Sequence, residues 1–555
     1  MNKSVIKIKR ILALLIAAAV IFVSGCNKKE NANMPPQAMA GPREGGVLNL
    51  AAYSPDTLNP LATEFSCVRD YLYLAYEGLF TVNSDLTVNG VLAESYTASE
   101  HNTLYEITLK KGVRFHDGSA FSSKDVVSTF EYIKMYETKY ANALENVKTF
   151  RAKGDYKVEI VLNSSQANFI TNLDFPILAS GLEAEDFTLP NKSYKMNGTG
   201  RYRYKKTNEY VNMIFEKNPD WHSDTKVYIP QVNIRFVNNK DAIAYAFSSG
   251  ETDMVTTEMG RWGEFTHSAK HNEYEVTTTQ YAFVGINTVN TAFADVELRR
   301  TLASCIDKKN IVDSIMFSHA IVAETPITAR TYFYRNDGEK TEYEKANVSQ
   351  RRLSTYILYN EESQRKENVA MYLKKALEEE GIKVELTKVD FETYLNKIKS
   401  GDYQLYIGEV DMKRDCDMRF MFNTASTIAV PEGESVVVKL DGTEEPRQPA
   451  EDIFVSENLP ETLVNTSSYI SNYTDPRLDD IIGNITAGGD EESLKVAFNN
   501  LRAFYEENVP QIPLFHINEA LFVSSRIKGK ITPNLTNLFS DLGEIYIETY
   551  PDNLK

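Results

Sequence analysis

The middle of the chain carries its clearest periodic signal. Thr355 to Tyr359 is a short apolar run that predicts a strand, and Val369, Tyr372, Leu373, Ala376 and Leu377 then recur at i, i+3, i+4, i+7 and i+8. That spacing predicts a helix, closed by Gly381. Ile382, Val384 and Leu386 alternate as a strand, Phe391, Tyr394, Leu395 and Ile398 make a second helix closed by Gly401, and Tyr403, Leu405 and Ile407 alternate again. A strand-helix-strand-helix-strand series implies a mainly parallel sheet covered on both faces.

The first third of the chain reads differently. Gly45-Gly46 opens a strand at Val47-Leu48-Asn49-Leu50. Leu104, Glu106 and Thr108 fall on one face of a later strand and Tyr105, Ile107 and Leu109 on the other, so the following Asp117-Gly118 reads as a turn closing that sheet element. Ser122 and Asp125 then have the spacing of a helix cap, ahead of an apolar face made by Val126, Val127, Phe130 and Ile133. Far downstream, residues 431–461 mix charge, Gly and Pro with little periodicity apart from a short strand pattern at Val436 to Leu440, and read as a surface insertion.

The extreme N-terminus predicts an export signal. Lys3, Lys7, Lys9 and Arg10 precede an apolar run from Ile11 to Val23 and then Ser24-Gly25-Cys26. The run is shorter than the roughly 20 apolar residues a spanning helix needs. Residues 1–25 are therefore expected to be a signal peptide, and residues 26–44, polar with Pro35, Pro36, Gly41 and Pro42, a flexible tether. The net charge of −17 becomes −21 once the four basic residues of the leader are removed. Such an acidic surface argues against nucleic-acid partners and against electrostatic adhesion to anionic lipid. Length predicts roughly three domains. Besides Cys26 only Cys67, Cys305 and Cys416 occur, without a Cys-x-x-Cys, so no disulfide framework is expected.

Catalytic patterns are missing from the sequence. It contains no Gly-x-Ser-x-Gly, phosphate loop or His-Glu-x-x-His, and Ser525-Arg526-Ile527-Lys528 lacks the companion motifs that give Ser-x-x-Lys meaning. His267 and His271 have i, i+4 spacing but no third ligand, so neither metal nor cofactor is assigned. The chemistry that remains is binding. In an open α/β sheet, ligands collect beyond the carboxyl ends of strands, and the 403–407 strand points at Gly408 to Asp417, where six of ten residues are charged, with both signs present. The loop is either a binding element or a solvated turn.

Several short motifs occur in a fixed order: Gly45-Gly46, Thr57-Leu58-Asn59-Pro60, Tyr76-Glu77-Gly78-Leu79, Leu92-Ala93-Glu94-Ser95, Phe115-His116-Asp117-Gly118 and, downstream, Asn508-Val509-Pro510-Gln511-Ile512-Pro513-Leu514. This order resembles the extracellular solute-binding proteins of family five, the oligopeptide-, dipeptide- and nickel-binding components of ABC importers. The resemblance implies a type II periplasmic-binding-protein-like α/β fold: two α/β lobes, an additional lobe, and a hinged ligand cleft. Lobe I would comprise residues 45–80, 198–282 and 522–555, lobe II 81–197 and lobe III 283–521. Gly198-Thr199-Gly200 would mark the return from lobe II, and Phe283 to Asn287 the crossing into lobe III.

Val-Ser-Gly-Cys resembles a lipobox, which implies lipidation of Cys26 and an extracytoplasmic, membrane-anchored location. In peptide-binding relatives the loop after the 403–407 strand reads Gly-Trp-x-x-Asp-Tyr-x-x-Pro, and its Asp holds the peptide ammonium. Here Glu409 replaces the Trp and Asp411 falls one position early, so Glu409, Asp411 and Asp415 are the candidates in this loop. Tyr53 and Ser54 are candidates for backbone contacts to an extended ligand or simply part of a turn. Arg261 and Trp262 are candidates for a pocket wall or core packing, and Tyr469 for the cleft or the core. The expected function is delivery of a solute, a peptide foremost, to an ABC permease by a monomeric, non-enzymatic receptor. Alternatives are a sensor or chaperone of the same fold, or a binder of nickel chelates or oligosaccharides.

Overall fold

Gly45 and Gly46, both at positive φ, lead into the strand Val47–Ala52. The computed structural model describes residues 41–99, 101–136, 138–257, 262, 263, 265, 270–289, 291–334, 353–422, 470–489, 491–539 and 542–548, with backbone alone at 436–438 and 444–446. Val47–Ala52 pairs in parallel with Gln231–Phe236, and Asn212–Lys217 and Tyr202–Asn208 extend that first sheet antiparallel. A parallel pair cannot be joined by a tight turn. Here the crossover is long enough to hold a sheet of its own.

That second sheet runs Ala93–Ala98, Leu104–Leu109, Lys157–Leu162, Val147–Ala152, all antiparallel. The alternation read in the sequence appears as burial: Tyr105, Ile107 and Leu109 are inside and Leu104 is exposed. Gly118, at φ 88°, makes the turn between Phe115 and Ser119. The helix Ser123–Met135 begins where the Asp125 carboxylate accepts the Ser122 N–H at 2.8 Å. On it, Phe130 meets Phe150 of the sheet edge-on, centroids 5.3 Å apart. The chain returns at Gly198 and Gly200, where it presses on the backbone of Ala75: a Cβ on Gly198 would stand 2.0 Å from the Ala75 oxygen. One apolar cluster runs through both sheets, from Leu48 and Leu50 to Ile107 and Phe130.

The third sheet has seven strands. Its path is Met254–Thr257, Gln511–Ser524, His271–Ile286, Leu405–Asp411, Ser354–Asn360, Lys383–Val389, with Ala320–Val322 also on Gln511–Ser524. The periodic segment folds as its spacing predicts, with helices Gln364–Glu379 and Phe391–Ser400, the latter stopped by Gly401 at φ 74°. The expectation of a mainly parallel sheet needs correction. Only the pairs made by Ser354–Asn360 are parallel; the long strands His271–Ile286 and Gln511–Ser524 add antiparallel pairing on the other side. Both faces are covered. Along Leu405–Asp411, Leu405 and Ile407 point to one core while Tyr406 and Val410 point to another, as a two-residue period requires. The positions 282/283 and 521/522, expected as lobe crossings, lie on the paired strands His271–Ile286 and Gln511–Ser524, the first at a register shift between Ala282 and Phe283. In the 431–461 insertion, Val436–Val438 pairs antiparallel with Glu444–Pro446. Among the described residues, no helix is long and apolar enough to cross a membrane.

Candidate functional site

The parallel pair of the first sheet ends with Ala52 opposite Phe236, so the chain leaving both strands starts from one edge. Helix Ser66–Leu72 follows the first strand and helix Lys240–Ser248 the second, the latter capped by the Asn239 side chain, which accepts the Ala242 N–H at 2.8 Å. Arg69 and Lys240 on these helices face a cavity of about 640 Å³. Asn172 and Asp174, which follow the second sheet, and Asp411 and Arg414, at the end of Leu405–Asp411, complete opposing walls. This is a size typical of small-ligand sites, placed where strand ends converge.

The charged loop begins later than the sequence spacing predicts. The strand continues to Asp411, and Gly408 permits this because a Cβ there would lie 2.3 Å from the Phe283 ring. Glu409 is consequently a buried strand residue. Arg365 donates to both its oxygens, Nε at 2.7 Å and Nη2 at 2.9 Å. Burial opposes its charge, but Arg365 and Lys366 outweigh burial and hold the carboxyl below the usual range. The candidacy of Glu409 as a ligand residue is corrected accordingly: both its oxygens are occupied, and it does not line the cavity.

Most other charges of the loop are committed as well. Arg414 donates to the Asp174 carboxylate and to the Leu535 carbonyl. Asp415 is buried and accepts from the Gln166 amide, from Asn172 Nδ2 at 2.9 Å and from the Asp417 N–H at 2.9 Å. Burial first, and then the neighbouring Asp417, raise its carboxyl above the usual range. Lys413 Nζ lies 3.4 Å from Glu145, and Asp417 pairs with Arg419 at 2.7 Å. Asp411 differs. Its side chain is open to the cavity, and its carboxylate makes no hydrogen bond among the described residues. Loss of bulk water holds this carboxyl above the usual range, with Arg414 opposing and Glu409 reinforcing the shift.

The remaining sequence candidates lie elsewhere. Tyr53 packs edge-on against Phe65, centroids 5.6 Å apart, and Ser54 is exposed; neither lines the cavity. Trp262 is buried, stacked on His319 at 3.8 Å, and donates to Glu273 at 2.5 Å, which makes it a packing residue. Arg261, Tyr469, His267 and Cys26 lie outside the described residues. His271 opens a strand and packs on Phe522. Glu273, Glu275 and His319 bring metal-type donor atoms within 4.8 Å, but they are exposed or half-buried, bonded to Trp262, to Asn518 and to each other, and outside the cavity lining. Arg69, Lys240, Asn172 and Asp174 were not among the sequence candidates. Lys240 carries one usable signal, a helix that begins a few residues after its strand; the other three carry none.

Comparison with known proteins places this architecture. The family model described as "Bacterial extracellular solute-binding proteins, family 5 Middle" matches residues 87–427. The oligopeptide-binding protein AppA of Bacillus subtilis (strain 168) is 24% identical over 427 residues, covering 70% of this chain and 77% of AppA. The glutathione-binding protein GsiB of Escherichia coli (strain K12) is 20% identical over 476 residues, covering 82% and 86%. Among solved structures, HbpA2 from Haemophilus parasuis superposes with a TM-score of 0.72 at 17% identity, covering 91% of this chain and all of HbpA2, which is a likeness of fold. With the family model spanning more than half its length, the chain belongs to the bacterial extracellular solute-binding proteins of family 5.

Proposed function

We propose that this protein is a lipid-anchored, monomeric, extracytoplasmic receptor that takes a peptide into the cavity beside Asp411 and delivers it, chemically unchanged, to the permease of an ABC importer. The observation that carries this reading is the cavity itself, whose walls come from helices of the first sheet, from the segment after the second and from a strand end of the third. A solute seated there touches all three, so its binding favours the closed arrangement of lobes I (45–80, 198–282, 522–555), II (81–197) and III (283–521) over an open one. Cys26 supplies the anchor. The peptide class is supported by relatives named for binding oligopeptides and glutathione, itself a tripeptide. The test is mass spectrometry of solute released from gently purified protein. A peptide of a few residues is expected, and release of a metal chelate or a sugar in its place would overturn the peptide assignment.

A further inference from the structure

Away from the solute cavity, three side chains with metal-binding donors meet over neighbouring strands of the third sheet. Glu273 and Glu275 stand two residues apart on His271–Ile286, so they share one face. His319 leads into Ala320–Val322, which pairs with the opposite edge of Gln511–Ser524. Its carbonyl accepts the Asn518 N–H at 3.2 Å, which fixes where the imidazole starts. The ring reaches back over the sheet, and Nδ1 lies 3.1 Å from Glu275 Oε1 and 4.0 Å from Glu273 Oε1. A zinc-type ion sits about 2.0–2.2 Å from nitrogen and carboxylate oxygen, which sets its tetrahedral ligands about 3.4 Å apart. The two distances bracket that value.

Charge and support point the same way. Two carboxylates on one strand face repel each other, and neither pairs with a Lys or Arg among the described residues. Neutral groups hold them instead: Trp262 Nε1 donates to Glu273 at 2.5 Å, and Asn518 Nδ2 to Glu275 Oε2 at 2.8 Å. The imidazole of His319 lies stacked on the Trp262 ring, centroids 3.8 Å apart, and Trp262 is itself buried against Phe522. An ordinary surface pair leaves its side chains free to swing. Here all three donors are held from behind, as the ligands of a metal are. The donor set also discriminates among ions, since Mg²⁺ and Ca²⁺ take oxygen ligands whereas an imidazole beside carboxylates suits Zn²⁺.

The geometry points to a site for one zinc-type divalent ion, bound by His319 Nδ1 and one oxygen each of Glu273 and Glu275, with water completing the shell. Binding leaves the imidazole proton on Nε2. The ion ties the turn before Ala320–Val322 to His271–Ile286, and its site is independent of what the solute cavity holds.

The experiment titrates the full-length protein, free of affinity-tag histidines, with zinc chloride in a calorimeter. One ion should bind per molecule, and an excess of Mg²⁺ should not displace it. Co²⁺, which takes the same donors and quenches a nearby indole, should quench Trp262, one of the chain's two tryptophans, and spare Trp221. His319→Phe keeps a ring stacked on Trp262 and removes the nitrogen, so it should weaken Zn²⁺ binding by at least about tenfold, the loss typical even of groups behind the ligands, and abolish the quenching. Glu273→Gln keeps an acceptor for Trp262 and should weaken binding as much, which repeats the test on a second ligand with the stack intact. Absence of Zn²⁺ binding by the native protein would overturn the inference. So would native-like affinity or surviving quenching in both variants, since the ion would then sit elsewhere. Displacement by Mg²⁺ would overturn it too, by showing a patch of negative charge and no site.

Discussion

Glu409 and His516 are both ionisable and almost fully buried, and the structure treats them in opposite ways. Glu409 keeps its charge because Arg365, in the first turn of the helix that follows Ser354–Asn360, lies where strand ends and helix starts meet. Nothing local in the sequence announces this. A charge within an apolar run reads as the end of a strand, and the two partners stand 44 positions apart. His516 instead loses its charge. Burial pushes its pKa from 6.5 down to about 4, and the hydrogen bond between Nε2 and the Thr325 carbonyl only partly opposes the shift. Its Nδ1 has no partner among the described residues. Below pH 6.5 the unfolded chain therefore binds a proton that the folded chain refuses until about pH 4. The contribution of His516 to stability is whole above pH 6.5, falls as pH drops toward 4 and levels off beyond. At pH 4.5 the loss should be about 2–3 kcal/mol. Urea unfolding at pH 7 and 4.5 should show that His516→Phe shrinks the difference between the two by about that amount; an unchanged difference would mean that other groups set the acid sensitivity.

Elements whose cause is local were legible in the sequence. The 3.6-residue spacing from Val369 to Leu377, the Ser122 and Asp125 cap and the Gly401 stop all act within a few residues of themselves, and the structure reproduces them. The reach of Leu405–Asp411 was not legible, because it depends on Gly408 lying against the ring of Phe283, more than a hundred positions earlier. The mixed character of the third sheet escaped for the same reason, since its antiparallel half is built by strands distant in sequence. Glycines separate the two situations by experiment. Gly198→Ala drives a Cβ onto the Ala75 oxygen, where backbone on both sides leaves little room to yield, so it should destabilise by about 1–3 kcal/mol, as overpacking does. Gly483 sits inside helix Pro476–Ala487 with nothing within 4 Å of the place a methyl group would take, so Gly483→Ala should stabilise by about 0.5–1 kcal/mol through helix propensity and a less flexible unfolded chain. Thermal denaturation of the two variants should move in opposite directions. A rise in both would show that the close approach at Gly198 carries no cost, and a fall in both that helix propensity does not govern Gly483.

Across the whole molecule, the 412–417 loop joins the third sheet to the second over the cavity. Arg414 reaches Asp174, Asp415 reaches Gln166 and Asn172, and Lys413 reaches Glu145. The sequence marks this loop by its charge, but its partners lie some 240 positions away, in the segment inserted between two strands of the first sheet. None of these contacts requires a solute, so on the cleft-closure reading proposed above they favour the closed arrangement before one arrives and reduce what the solute must contribute. If the Arg414–Asp174 contact adds about 1.4 kcal/mol to closure, its loss multiplies the ratio of open to closed molecules tenfold. Arg414→Ala should then raise the solute-free radius of gyration in small-angle scattering. It should also weaken solute binding by up to about tenfold, chiefly through faster release. Asp174→Asn should produce the same shift, and the double variant should add little to either single one, because both remove one contact. Additive effects, or an unchanged radius of gyration in all three variants, would show that the pair holds its own wall together and plays no part in closure.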